Sequence, residues 1–323
     1  MDAYIALGYV CNHSCMCCPL TTYDRLHKQL SLEELNQKIN NLLNKKSGDE
    51  VINVVLSGGE PFFNPNIFAV LYKLLVNDCN VSILSNSTQF VKPDIQNKIR
   101  EIIDDNDIYR SRLRIISAIY SSNNEIHDYL TACKGSLWET LTGLDYVVSQ
   151  NIPVTVKIIL NKANKHSLLN TVKYLDEHFP ADVKLQFCGM DYSGRAEKNL
   201  DELLISFQEL QPFVEDALDY LEKSNSKRIA QKRRCRTFSF LELPLCLCDP
   251  YYWRYFALPS KKQQLYIAPN EIITNSKQLS VAQLQCGTFY KECENCDVRN
   301  LCYGSWKTTY KYVNNLLRPI KTN

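Results

Sequence analysis

Six short apolar runs recur through the first part of the chain, at 4–10 (YIALGYV), 51–57 (VINVVLS), 80–86 (NVSILSN), 113–119 (LRIISAI), 153–160 (PVTVKIIL) and 183–189 (VKLQFCG). Between them lie segments whose apolar residues stand three and four apart: LSLEELNQKINNLLNKK from Leu30, then 66–76, 94–104, 136–150 and 166–179. By period the runs are strands and the intervening segments helices. Ser31 followed by Glu34 has the spacing of a capping box, which fixes where the first helix begins. Strands alternating with helices dictate βαβ units and a parallel sheet covered by helices. Six units are too few to close an eight-stranded barrel, so the expected fold is an α/β partial (β/α)6 TIM-like barrel. It is expected to span 1–200, followed by a helical linker at 201–235 and a small cysteine-rich C-terminal domain at 236–323.

In a parallel α/β layer the chemistry sits in the loops after the strands. The first such loop is CNHSCMCCPL, with four cysteines in eight positions. The sequence carries 14 cysteines in all, and secretion would make them a disulfide set. The opening MDAYIALGYVC has neither a basic leader nor a cleavage signature, and no run reaches the length of a membrane span. The expected location is therefore cytoplasmic, where clustered thiols are metal ligands or catalytic groups. Cys79, Cys133 and Cys188 stand alone in apolar segments and read as small buried hydrophobes. With 37 basic and 35 acidic residues, the chain lacks the basic excess of a nucleic-acid binder. Its one basic concentration, KSNSKRIAQKRRCR at 223–236, reads as a solvated helix face.

Cys11, Cys15 and Cys18 are spaced C-x3-C-x2-C, and three thiolates on a short loop can hold three corners of a cubic iron–sulfur cluster. Chemistry alone does not choose between the adjacent Cys17 and Cys18; spacing favours Cys18. A lone trio could also hold zinc. The loop after the second run is SGGEP, where Gly58 and Gly59 remove side-chain obstruction, Glu60 brings a carboxylate and Pro61 stiffens the turn.

The cysteine motif together with SGGEP resembles the radical S-adenosylmethionine superfamily. That resemblance implies a [4Fe-4S] cluster on Cys11, Cys15 and Cys18, with S-adenosylmethionine completing the fourth iron. It implies that Gly58, Gly59 and Glu60 hold the methionine end of the cofactor. Ser85 and Asn86 match the position after the third strand, Ser117 a serine after the fourth, Asn161 the end of the fifth, and Arg195 in SGRA a cofactor-carboxylate partner. Two departures stand out: the aromatic residue usual before the third cysteine is Cys17 here, and the aspartate expected after Ser117 is missing.

The tail, CENCDVRNLCYGSW, holds Cys293, Cys296 and Cys302. It resembles the SPASM or twitch extensions that house auxiliary clusters. Trp306 and Asn275 occupy places where the full pattern has cysteines, so one auxiliary [4Fe-4S] cluster is expected. Its fourth ligand is expected to be Cys248, with Cys246 and then Cys286 as alternatives; a zinc knuckle is the competing reading. The resemblance implies reductive cleavage of S-adenosylmethionine and hydrogen abstraction from a ribosomally made peptide, ending in epimerisation, a thioether or a carbon–carbon crosslink. A flavodoxin or ferredoxin would supply the electron, and Cys235 is the candidate hydrogen-donor thiol. The alternatives are a radical enzyme acting on a small molecule or on a protein residue, and a non-catalytic zinc-binding interaction protein.

Overall fold

The computed structural model describes residues 2–21, 29–46, 50–256, 264–267, 289–312 and 319–321. All six expected strands form: β1 (Asp2–Ala6), β2 (Asn53–Ser57), β3 (Asn80–Leu84), β4 (Leu113–Ala118), β5 (Val154–Ile159) and β6 (Lys184–Cys188). Each pairs in parallel with the next. Two strands that the periodicity did not announce extend the sheet. β7 (Phe238–Leu241) pairs with β6, and β8 (Gln264–Ile267) pairs with the free edge of β1, both parallel. The order is β7-β6-β5-β4-β3-β2-β1-β8, and no ladder joins β7 to β8 among the described residues. The expected partial barrel is thus present, widened by strands of only four residues each, too short to show a period of their own. Asn275 and Cys286 lie outside the described residues.

Strand alternation sorts the sheet into two faces. Ile5, Val54, Leu56, Val81, Ile83, Leu113, Ile115, Val156, Ile158, Leu185 and Phe187 are buried in one core under the helices. α1 (Leu32–Leu43) contributes Leu35, Ile39 and Leu42 to it, and Ser31 caps that helix with the expected reciprocal box, Glu34 N–H to Ser31 Oγ and Ser31 N–H to Glu34. α2 (Ile67–Val76), α3 (Pro93–Asp105), α4 (Asp107–Arg112), α5 (Asn124–Thr131), α6 (Ser136–Ser149) and α7 (Leu168–His178) follow in the same layer. After the short α8 (Leu200–Leu203), α9 (Phe207–Ala230) is the long helix of the expected linker and packs on α7.

The basic stretch at 223–236 divides in two. Lys223, Lys227, Lys232, Arg233 and Arg234 are exposed, but Arg236 is buried and donates to Asp176, Val183 O and Phe179 O, while Arg228 donates to Asp176 at 2.9 Å. Burial alone would raise the Asp176 pKa. Hydrogen bonds from Ser224 and Arg236 and the two guanidinium charges outweigh it and hold the carboxyl below its ordinary range. This buried cluster pins the end of α9 to α7. No helix among the described residues is long and apolar enough to cross a membrane.

Candidate radical cofactor site

The carboxyl ends of β1, β2 and β3 are stitched into one platform. Gly59 N–H donates to Gly8 O and Glu60 N–H to Val10 O, both at 2.8 Å. A Cβ on Gly58 would lie 1.9 Å from Gly8 O, and one on Gly59 would lie 2.2 Å from Val10 O. Gly58 also has φ +133°, a conformation that glycine tolerates and L side chains do not. The two glycines are therefore required by the close approach of two backbones. Their loop presses the β1 extension into the line that carries Cys11.

Glu60 is 3% exposed. Its carboxylate accepts from Ser85 Oγ at 2.8 Å, Asn86 N–H at 2.8 Å and Phe62 N–H at 3.2 Å. Burial pushes its pKa up to about 7, against the lowering effect of those three bonds. Glu60 is thus a bracket between the loops after β2 and β3, and most of its acceptor capacity is occupied within the protein. Asn86 extends the bracket: its Nδ2 donates to Asn12 Oδ1 at 2.8 Å and lies 4.0 Å from Cys11 Sγ, and Asn12 Nδ2 donates to Thr88 Oγ1 at 2.9 Å. Ser85, Asn86, Glu60, Gly58 and Gly59 are brought together beside Cys11.

On the other side the cysteine loop leans on the loops after β4 and β6. Ser14 N–H and Met16 N–H donate to Thr131 O and Leu130 O at the end of α5, and Arg195 N–H donates to Cys18 O at 2.9 Å. A Cβ on Gly194, at φ +62°, would meet Pro19 O at 2.1 Å. Cys11, Cys15 and Cys18 are half-buried, whereas Cys17 is 6% exposed and packs among Tyr120, Leu130, Met190 and Tyr192. Burial, only partly relieved by a hydrogen bond from Tyr120, pushes the Cys17 thiol up to about 12. Among the described residues no three His, Cys, Asp or Glu side chains converge tightly enough to grip one metal ion. A cubic cluster does not ask for that convergence, because each thiolate meets an iron at its own corner. Three half-buried cysteines on one loop, with Nη1 of Arg195 buried and without a hydrogen-bond partner among the described residues, fit such a cluster and an anionic group next to it.

Three expected site residues stand elsewhere. Ser117 falls in line with Leu113 and Ile115, on the face covered by helices, and its buried Oγ has no partner among the described residues; strand parity gives the inner position to Ala118, which packs with Tyr120 and Ile159. This corrects Ser117 as a cofactor-binding residue. Asn161 is fully buried and closes a turn, donating to Ile159 O and accepting from Asn164 N–H. Cys235 lies before β7, with its thiol against Asn225 O at 3.9 Å. Leu185 N–H bonds Thr237 O there, so Cys235 sits at the amino end of the sheet, a full strand length from the cysteine loop. It is corrected as a hydrogen donor for chemistry at the other end.

The inner face carries polar groups that periodicity alone left unremarked. Lys157 and Glu242 lie near enough to act electrostatically on both Tyr4 and Cys188, and Tyr4 hydrogen-bonds Ser57. Glu242 follows β7 with φ 63° and is raised to about 6 by burial, offset in part by Lys157 and by a hydrogen bond from Trp306. Trp306 Nε1 also reaches Gly189 O at 3.3 Å. Trp306, which stands four residues past Cys302 in a place where the full pattern has a cysteine, fastens the tail to the barrel.

Four tail thiols, Cys246, Cys293, Cys296 and Cys302, line one small apolar cavity with Leu245 and Val298 among its walls. Leu245 and Gly304 N–H donate to Cys302 Sγ at 3.4 and 3.3 Å, and Ile320 N–H donates to Cys296 Sγ at 3.4 Å. Cys248, the expected fourth member, is instead buried in the main core, and its thiol is raised by that burial. The correction follows from chain geometry: the short helical turn at Leu245–Leu247 directs alternate cysteines of CLC to different surroundings.

The sequence profile of the Radical SAM superfamily matches residues 5–175, more than half of the chain. An uncharacterized protein of Methanocaldococcus jannaschii, MJ0907, is 28% identical over 173 residues, covering 51% of this chain and 54% of that protein. This chain thus spans about half the length of the curated relative it matches. Among solved structures, Streptococcus suis SuiB bound to S-adenosylmethionine superposes with a TM-score of 0.61 at 12% identity, covering 94% of this chain and 72% of SuiB. SuiB bound to precursor peptide SuiA gives 0.58 at 12%, covering 83% and 57%. The anSMEcpe structure with bound AdoMet and Cp18Cys peptide gives 0.55 at 15%, covering 73% and 62%. At such identities the likeness is one of fold.

Proposed function

Since this chain belongs to the radical SAM superfamily, which implies a [4Fe-4S] cluster and S-adenosylmethionine, we propose that it modifies a peptide, with Cys11, Cys15 and Cys18 as the cluster ligands. When bound, the cluster and cofactor together supply a 5'-deoxyadenosyl radical that removes a hydrogen atom from the substrate. The protein's part is to position and to exclude water. Arg195, with a buried nitrogen that has no partner among the described residues, is assigned to the cofactor's carboxylate. The Glu60–Ser85–Asn86 bracket keeps the glycine loop against the Cys11 strand, so that its carbonyls and the Asn86 amide line the methionine end.

The observation that carries this reading is the set of three half-buried cysteines on the loop after β1, framed by the β2–β3 bracket on one side and Arg195 on the other. A peptide substrate is favoured by two features: SuiB and anSMEcpe are both seen with peptides, and the inner face offers Lys157, Glu242, Tyr4 and Ser57 to a backbone rich in donors and acceptors. Epimerisation, thioether formation and carbon–carbon crosslinking are the candidate outcomes, with a flavodoxin or ferredoxin as electron donor. We assign the tail cavity to an auxiliary [4Fe-4S] cluster held by Cys246, Cys293, Cys296 and Cys302; the sulfurs of Cys296 and Cys302 receive backbone N–H groups of the kind that tune such centres.

Anaerobic reconstitution with iron and sulfide, followed by dithionite and S-adenosylmethionine, tests the core of the reading. Release of 5'-deoxyadenosine by the parent and none by the Cys11→Ala, Cys15→Ala or Cys18→Ala variants is expected. An iron-free parent that releases none sinks it. With a candidate peptide in heavy water, one incorporated deuterium marks epimerisation, and loss of two hydrogens marks crosslinking.

A further inference from the structure

The loop that carries Arg195 is held from the tail. α10 (Lys307–Tyr312) begins shortly after Cys302 and lies against the loop that follows β6. Thr308 makes the central contact: its hydroxyl accepts from Tyr192 N–H at 2.9 Å and donates to Asp191 Oδ1 at 2.8 Å. The same Asp191 oxygen accepts from Ser193 N–H at 3.0 Å, a side-chain turn that bends the chain within two residues. Ala196 N–H closes the next turn on Ser193 O at 3.2 Å, and Arg195 N–H within it meets Cys18 O at 2.9 Å. Further bonds fasten the helix beside Thr308: Thr309 Oγ1 donates to Met190 O at 3.0 Å and Lys311 Nζ to Glu197 at 2.9 Å.

We infer that Thr308 is a positioning residue for the cofactor site: through Asp191 its hydroxyl sets the turn that presents Arg195 beside the cysteine loop. The inference rests on the assignment of Arg195 to the cofactor's carboxylate. A guanidinium recognises a carboxylate with a planar fork, so its placement counts as much as its charge. Residues 191–195 belong to no strand or helix, and a loop holds a side chain only as well as the contacts around it allow. A hydroxyl can accept one bond while donating another, which is what the bridge between Tyr192 N–H and Asp191 requires. Valine fills the same volume and supplies neither bond. The tail thus acts on the barrel mouth through a side chain that touches neither thiols nor cofactor.

The test is equilibrium dialysis of the anaerobically reconstituted full chain, without reductant, against S-adenosylmethionine and against 5'-methylthioadenosine, which lacks the carboxylate. Thr308→Val is expected to keep parental iron and to bind S-adenosylmethionine about tenfold more weakly, the size of one lost bond to a charged group. Its affinity for 5'-methylthioadenosine should stay parental, and Thr308→Ser, which keeps the hydroxyl, should bind both as the parent does. Equal weakening of both ligands marks general damage and overturns the inference. So does a parental affinity for S-adenosylmethionine in Thr308→Val beside a weakened Arg195→Ala. Should Thr308→Val lose iron, Asp191→Ala decides by the same two ligands, with selective weakening expected and its absence overturning the inference. A parental affinity in Arg195→Ala overturns the assignment of that arginine and the inference with it, and a parent that binds no S-adenosylmethionine overturns the cofactor reading itself.

Discussion

The two cysteine sets of this protein are built on opposite plans. At the barrel mouth Cys11, Cys15 and Cys18 are half-buried on an irregular loop, and a buried guanidinium nitrogen beside them has no partner among the described residues. In the tail Cys246, Cys293, Cys296 and Cys302 line an apolar cavity, and Cys296 and Cys302 already accept backbone N–H groups. The first set leaves polar capacity open for a guest; the second has four thiols and walls that need nothing more. An unfinished set suits exchange of a ligand, and a finished one suits a centre that stays in place.

The sharpest way to break this contrast is to empty one set at a time. Cys11→Ala/Cys15→Ala/Cys18→Ala is expected to abolish 5'-deoxyadenosine release while retaining tail iron, read by chromatography and iron analysis. Cys246→Ala should remove the tail iron yet leave measurable cofactor cleavage. Cys248→Ala should keep all iron and cost about 1 kcal/mol in a denaturant melt, the ordinary size for a small core truncation. Iron loss in Cys248→Ala with retention in Cys246→Ala would reverse the assignment of the fourth thiol.

A smaller effect probes the scaffold of the open set. Glu60→Ala leaves Ser85 Oγ and two N–H groups without their acceptor, at about 1–3 kcal/mol for each group left unsatisfied, measured by urea unfolding. Because burial raises the folded pKa of Glu60 to about 7, from an ordinary 4.5, its protonated form is the one favoured in the fold. Its contribution to stability is complete below 4.5 and is lost as pH rises through about 7. Glu60→Gln should flatten that part of the stability profile. The smallest effect belongs to Cys235→Ser, which should leave cofactor cleavage and peptide modification at parental levels; a selective loss of the modified product would contradict its position at the amino end of the sheet.

The six-strand frame was legible because each strand is an apolar run long enough to contrast with the helix after it. β7 and β8 were not, since four residues carry no period and β8 is recruited from distant chain. Cys11, Cys15, Cys18 and the SGGEP loop announced themselves by spacing within short windows. Ser117 was misjudged because a motif match is blind to strand parity, which puts its neighbour Ala118 inside. Cys248 was preferred to Cys246 for the same kind of reason: two residues apart on a tight turn, they enter different environments. Tyr120, Lys157 and Glu242 had no local signature at all. Each becomes meaningful only when four or more strands bring their loops to one mouth.

The pairing of β8 with β1 has a consequence for how the protein can be divided. Residues 264–267 supply the outer hydrogen-bonding partner of the strand that leads into the cysteine loop, just as β7 covers β6. A fragment ending after the sixth strand would present two raw sheet edges to other chains, an invitation to aggregation. The front of this molecule depends on its back for solubility, and the two are expected to fold and be inherited as one piece.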